Sequence, residues 1–128
     1  MSTLHRAHFR AIIPLLPVRN VSQAIGYYTE RLGFRLSFQE DPHDPQYAEV
    51  QRDGMCLHLQ WHDPADFGEA VDGLMLRFVI DDVDALFAEY QDKQVFQDHT
   101  AVSETPWNTR EFAFYDLDGN GLTFFRDL

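Results

Sequence analysis

Residues 18–28 and 80–90 of this chain are two versions of one pattern. Val18, Asn20, Val21 and Tyr28 fall on Ile80, Asp82, Val83 and Tyr90 at a constant offset of 62 (83 − 21). Asp53-Gly54 with Leu57-His58-Leu59 falls on Asp118-Gly119 with Leu122-Thr123-Phe124 at an offset of 65 (118 − 53). A length of 128 residues suits one domain, so a duplication inside it means a domain made of two small modules. Neither module has enough area to bury both faces of a sheet. The two must pack together and leave their other sheet faces curved around a cleft.

Each module reads β-α-β-β-β. In the first, the apolar run 11–16 predicts a buried strand, which Pro14 and Pro17 place at an edge. Asn20 predicts an N-cap with Gln23 as its capping-box partner; Val21, Ala24, Ile25, Tyr28 and Leu32 have helical spacing, and Gly33 ends the helix. Three strand-like runs follow at 34–39, 47–51 and 55–61, divided by 40–45 and by Arg52-Asp53-Gly54. The second module starts with a strand at 74–80. Asp82 caps a helix marked by Val83, Leu86, Phe87 and Tyr90, and after a less regular stretch come strands at 111–115 and 121–126. The expected fold is α+β: one domain over 1–128, with tandem β-α-β-β-β modules at about 9–62 and 73–128 forming a curved mixed sheet around a cleft.

Charge narrows the partners. The chain has 21 acidic and 10 basic side chains, a net charge of −11. Such a surface repels a phosphate backbone or an anionic bilayer, so neither nucleic acid nor membrane is an expected partner. The longest nearly apolar run, 11–18, contains two prolines and falls well short of the roughly 20 residues of a spanning helix. The first six residues are not followed by an uninterrupted apolar stretch with a small-residue cleavage site, and a cytoplasmic location is expected. Cys56, the sole cysteine, allows no internal disulfide and no multi-thiolate metal site; its apolar surroundings read as those of an inert thiol. The seven glycines form no Gly-x-Gly-x-x-Gly pattern, and no cofactor is expected.

Several segments carry a family resemblance: 16–21 (Leu-Pro-Val-Arg-Asn-Val), 27–34 (Tyr-Tyr-Thr-Glu-Arg-Leu-Gly-Phe), 81–84 (Asp-Asp-Val-Asp), 106–112 (Pro-Trp-Asn-Thr-Arg-Glu-Phe) and 116–120 (Asp-Leu-Asp-Gly-Asn). Over nearly its whole length the chain resembles the vicinal oxygen chelate superfamily of glyoxalase I, extradiol dioxygenases and bleomycin-resistance proteins. The Pro-Trp-x-x-Arg-Glu-Phe stretch is narrower and resembles the bleomycin-resistance branch, with Asn108 where that branch usually has Gly. The resemblance implies four metal-ligand positions, on the first and last strands of both modules, carrying His, Glu or Gln in the enzymes. Here they fall at Ile13, His58, Met75 and Thr123, of which only His58 is a normal ligand. No metal and no lyase or dioxygenase activity is therefore expected. The alternative is a metal-dependent glyoxalase-like lyase, isomerase or dioxygenase with an altered ligand set built around His58. His5 and His8 form a His-x-x-His pair without a visible carboxylate partner, and His43, His62 and His99 lie in polar loops.

Strand alternation aligned on those positions puts Ile13, Leu15, Cys56, His58, Gln60, Met75, Arg77, Thr123 and Phe125 on the cleft side. Leu16, Val18, Leu57, Leu59, Phe78, Ile80, Leu122 and Phe124 then pack under the helices. The loops 40–46 and 62–73 hold Glu40, Asp41, Asp44, Asp63, Asp66, Glu69 and Asp72 with no Lys or Arg, and would concentrate cations at a cleft rim. Phe38, Trp61, Phe67, Trp107 and Phe112 are candidates to stack on a planar group. Phe112 and Phe114 alternate with Ala113 and Tyr115, so one of these pairs is core, and Arg110 with Glu111 also reads as a structural ion pair. In the resembled antibiotic-binding proteins a flat bithiazole with a positive tail sits in a groove across a dimer, which makes Trp107 the stacking residue and Phe38 its partner. The expected ligand-binding residues are Trp107, Phe38, His58, Trp61, Arg110, Phe112 and Thr123, with none catalytic. The expected function is that of a cytoplasmic, homodimeric binding protein that confers antibiotic resistance by sequestering a bleomycin-like or other cationic aromatic compound without metal. A module binding an unrelated metabolite is the remaining reading.

Overall fold

The structure is a computed structural model and describes residues 5–67 and 75–128. Its elements run β1 (Leu15–Val18), α1 (Val21–Glu30), β2 (Arg35–Gln39), β3 (Tyr47–Arg52), β4 (Met55–Trp61), β5 (Met75–Val79), α2 (Val83–Tyr90), β6 (Ser103–Glu104), β7 (Thr109–Tyr115) and β8 (Gly121–Asp127). They form two four-stranded sheets, ordered β1-β4-β3-β2 and β5-β8-β7-β6. In each the first and last strands of the module pair in parallel, and the other pairs are antiparallel. The duplication therefore extends from sequence to hydrogen-bond register, with Leu15 opposite His58 in one sheet and Arg77 opposite Thr123 in the other.

The local signals account for the elements. Asn20 Oδ1 accepts from the Gln23 amide and Asp82 Oδ1 from the Ala85 amide, each at 2.9 Å, so both helices start on a side-chain cap. Gly33 follows α1 at φ +78°, a conformation that strains any side chain, and a Cβ there would also push the Arg52 guanidinium aside from 2.6 Å. The first strand differs from expectation. It begins at Leu15 rather than residue 11: the ladder with β4 opens with the Pro14 carbonyl, which accepts from the His58 amide at 2.9 Å, and no residue before Pro14 is in the register. Phe9 is 102% exposed and Ile12 94% exposed. The short β6, unread in the sequence, completes the second β-α-β-β-β module. Leu74, the expected start of β5, and the acidic Glu69 and Asp72 lie outside the described residues.

Both helices cover the same side. Leu16, Val18, Leu57 and Leu59 from the first sheet and Phe112, Phe114, Leu122 and Phe124 from the second join Tyr28, Leu32, Val83 and Tyr90 in one continuous core. Polar links hold the modules together along it, among them Tyr28 to Asp116, Tyr90 to the Leu32 carbonyl, Asn120 to the Pro17 carbonyl, and Arg52 to Glu89. The helix-covered faces thus share a core, while the other face of each sheet is open. No helix among the described residues is long and apolar enough to cross a membrane.

Candidate functional site

The open face of the first sheet carries a continuous polar chain across three strands. Glu49 lies opposite His58, and a register shift in β2 sets both Ser37 and Phe38 against it. Ser37 donates its hydroxyl to Glu49 Oε1 at 2.8 Å, His58 Nε2 lies 2.8 Å from Glu49 Oε2, and the Tyr47 hydroxyl is 2.6 Å from His58 Nδ1. Tyr47 and Glu49 between them occupy both ring nitrogens of His58 and fix the orientation of the imidazole. The hydrogen bonds from Ser37 and then His58 hold the Glu49 carboxyl below the usual carboxylate range. Phe38, 52% exposed, stands at the edge of this chain.

The open face of the second sheet is organised around Glu111. Its carboxylate accepts from the Thr109 hydroxyl at 2.8 Å and from Arg77 at 3.1 Å, while the Arg77 guanidinium lies 4.3 Å from the Phe125 ring centroid. Partial burial raises the Glu111 pKa, but these donors, with Trp107 as a weaker one, outweigh it and hold the carboxyl low. Trp107 is 63% exposed. It sits in the turn that Asn108 closes at φ +64°, a left-handed conformation that Asn tolerates better than most side chains.

The seven expected ligand residues divide between the two sides of the sheets. Phe38 and His58 lie on the open face of the first sheet; Thr123 points to the corresponding face of the second but is buried there, its hydroxyl 3.0 Å from Met75 Sδ. Trp107 lies beside Glu111. The other three sit elsewhere. Phe112, 2% exposed, pairs with Phe124 in the core, because β7 starts at Thr109 and its alternation sends residues 110, 112 and 114 under α2. Arg110 follows the same alternation and forms a two-pronged ion pair with Asp84 of α2, at 3.0 and 2.7 Å, rather than with Glu111. Trp61 shares the alternation of the buried Leu57 and Leu59, so it ends β4 on the helix side, opposite Val18. Glu49 and Tyr47 went unread as site residues. The signal that finds them is the antiparallel register of β3 against His58.

The four positions implied for a metal do not fit one. Ile13 precedes β1, Met75 and Thr123 contact each other, and both His58 nitrogens are occupied by Tyr47 and Glu49. A divalent transition metal needs three or more converging N, O or S donors. Among the described residues no group of three His, Cys, Asp or Glu side chains is placed to hold one.

The bleomycin resistance proteins of Geobacillus stearothermophilus and Staphylococcus aureus are 25% identical to this chain over 130 residues, which covers 91% of it and 96% of each of them. Among solved structures, the bleomycin-binding protein of the bleomycin producer Streptomyces verticillus, in complex with copper(II)-bleomycin, is 27% identical with a TM-score of 0.74. That match covers 93% of this chain and 97% of the other. The antibiotic-binding protein TnmS3 of Streptomyces sp. CB03234 is 28% identical with a TM-score of 0.70, over 97% of this chain and all of that one. Together with a family model that matches residues 6–124, these place the chain in the Glyoxalase/Bleomycin resistance protein/Dioxygenase superfamily, to which it belongs.

Proposed function

We propose that this chain is a binding protein that sequesters a bleomycin-like or other cationic aromatic compound, without metal and without chemistry, in a groove formed where the open sheet faces of two copies meet. The observation that carries the reading is Trp107: a large indole, nearly two-thirds exposed, on a tight turn beside a carboxylate held by Thr109 and Arg77. An exposed Trp with restrained surroundings is a stacking platform, and the neighbouring anion favours a positively charged ring system. The net charge of −11 raises the local concentration of such a cation. Because the helix-covered faces are used up in the shared core, a ligand enclosed on both sides needs a second open face from another copy. The copper(II)-bleomycin complex of the Streptomyces verticillus protein supports the ligand class.

The test is calorimetric titration of metal-free protein with bleomycin, with elemental analysis of the protein as purified. Submicromolar binding to metal-free protein, with Trp107→Ala weakened by about 10- to 100-fold, supports the reading. A stoichiometric transition metal in the purified protein and no affinity for bleomycin would overturn it in favour of an enzyme with an altered ligand set.

A further inference from the structure

Glu49 differs electrostatically from every other ion-paired carboxylate among the described residues. Asp118 is paired with Arg19, Asp53 and Glu89 with Arg52, Glu111 with Arg77, and Asp84 and Glu104 with Arg110; each meets a permanent cation. The partner of Glu49 is instead His58, an imidazole whose other ring nitrogen is taken by Tyr47. Arg35, on the adjacent strand, donates to Gln51 at 2.8 Å. Among the described residues no arginine or lysine forms an ion pair with Glu49, and Arg35 acts on it only from a distance. It sits in the middle strand pair of an open sheet face, with its side chain one-quarter exposed. Two donors fix its orientation, yet an ionised carboxylate has about four acceptor sites, so about half remain to be filled from outside. The exposed Phe38 ring stands across the ladder from it.

We infer that Glu49 is the charge-selecting residue of the open face, a fixed and incompletely neutralised carboxylate that takes the positively charged nitrogen group of the ligand while Phe38 covers its aliphatic or aromatic body. This deepens the binding function proposed above and rests on it for the ligand class. The Ser37-Glu49-His58-Tyr47 chain serves to pre-orient the carboxylate, so that it loses little freedom on binding. Charge-assisted hydrogen bonds from a ligand ammonium, amidinium or guanidinium would complete its acceptor set. A ligand with a neutral or anionic group at that point would leave the carboxylate facing it unpaired, which is the source of selectivity.

The experiment compares wild type and Glu49→Gln, the isosteric neutral variant, with two probes: cationic bleomycin against its terminal free acid, and ethidium against a neutral phenanthridine. The expected result is a loss of about 10-fold or more in affinity for each cation on Glu49→Gln, with the neutral and acidic probes changed by less than about twofold. Phe38→Leu should weaken cation and neutral probes alike. If wild type ignores bleomycin but binds ethidium through Glu49, the antibiotic reading fails and the charge-selecting role stands. Equal cation affinity of wild type and Glu49→Gln, or no binding of either cation, overturns the role of Glu49.

Discussion

The Tyr28 hydroxyl donates to Asp116 Oδ2 at 2.6 Å and so ties α1 of the first module to the β7–β8 turn of the second. Asp116 also accepts from the Asp118 and Asn120 amides and from the Asn120 side chain, which in turn donates to the Pro17 carbonyl at the middle of β1. The equivalent residue of the other module behaves in kind: Tyr90 donates to the Leu32 carbonyl just past α1. One tyrosine of the repeated pattern thus became a cross-module link in each copy. The duplication supplies the seam as well as the sheets.

Removing these hydroxyls should separate their strengths. Tyr28→Phe takes a donor from a buried carboxylate and should destabilise by about 1.5–3 kcal/mol, whereas Tyr90→Phe breaks a neutral bond to the Leu32 carbonyl worth about 0.5–1.5 kcal/mol and removes only a longer, 3.3 Å acceptor from Arg52. Urea unfolding of the two variants at pH 7 measures both. A Tyr28→Phe midpoint equal to that of wild type would contradict the assigned link.

Alkaline pH should act on the same seam. Burial, reinforced by Asp116, raises the pKa of Tyr27 and Tyr28 well above the ordinary phenol, and burial pushes Tyr90 up to about 12. In the unfolded chain these phenols ionise near 10. The folded protein therefore keeps protons that the unfolded chain releases. Their contribution to stability is fully present below about pH 10 and is lost as pH climbs toward the folded values. Unfolding free energy should fall steeply between pH 10 and 12, coincident with a phenolate absorbance change, and Tyr90→Phe should soften the decline.

Acid should loosen a different link. The hydrogen bond from Arg52 depresses the Glu89 carboxyl, partly offset by desolvation. A depressed carboxylate contributes stability above its unfolded value, about 4.3, and loses it as pH falls through the lower folded value. Glu89→Gln should be less stable than wild type at pH 7, and the gap should close as the pH drops to about 3. A gap that does not change with pH would mean that the Arg52–Glu89 charge pair does not help to hold the modules.

Much of this architecture is legible in the residues. Asn20 and Asp82 cap because no other group nearby satisfies the first amides of each helix, and Leu57, Leu59, Leu122 and Phe124 alternate strictly enough to set which side of β4 and β8 is core. What the sequence leaves open is parity where a strand's start is unmarked. In β7 the apolar residues 112–115 are continuous, so alternation alone allows either pair to be buried, and register against Phe124 and Leu122 decides. A start two residues earlier, at Thr109, carries Arg110 to the helix side with Phe112. Trp61 misleads for a related reason: an aromatic at the end of a core-facing row is exposed by position, not by face. Glu49 is hidden because its partners, Ser37 and His58, come from the strands on either side of it, and Tyr47 joins the chain only through His58.

The face assignment of β7 makes a final prediction, one that pits stability against binding. Phe112 packs against Phe87, Phe96 and Phe124, with ring centroids 5.3, 5.9 and 5.3 Å away, and its truncation leaves a void in the aromatic core. Phe112→Ala should therefore cost about 3–5 kcal/mol of stability. Phe112→Leu, which keeps most of the volume, should fold and retain bleomycin affinity within about twofold at low temperature. Arg110→Ala breaks the pair with Asp84 on the helix side and should likewise leave affinity within about twofold. Trp107→Ala should show the opposite profile: an unchanged urea midpoint, since its ring is largely in solvent, and the loss of affinity argued above. Calorimetric titration paired with urea unfolding on the three folded variants distinguishes the two groups. Loss of binding without loss of stability in Arg110→Ala would place its guanidinium on the ligand side and reverse the assignment of that face.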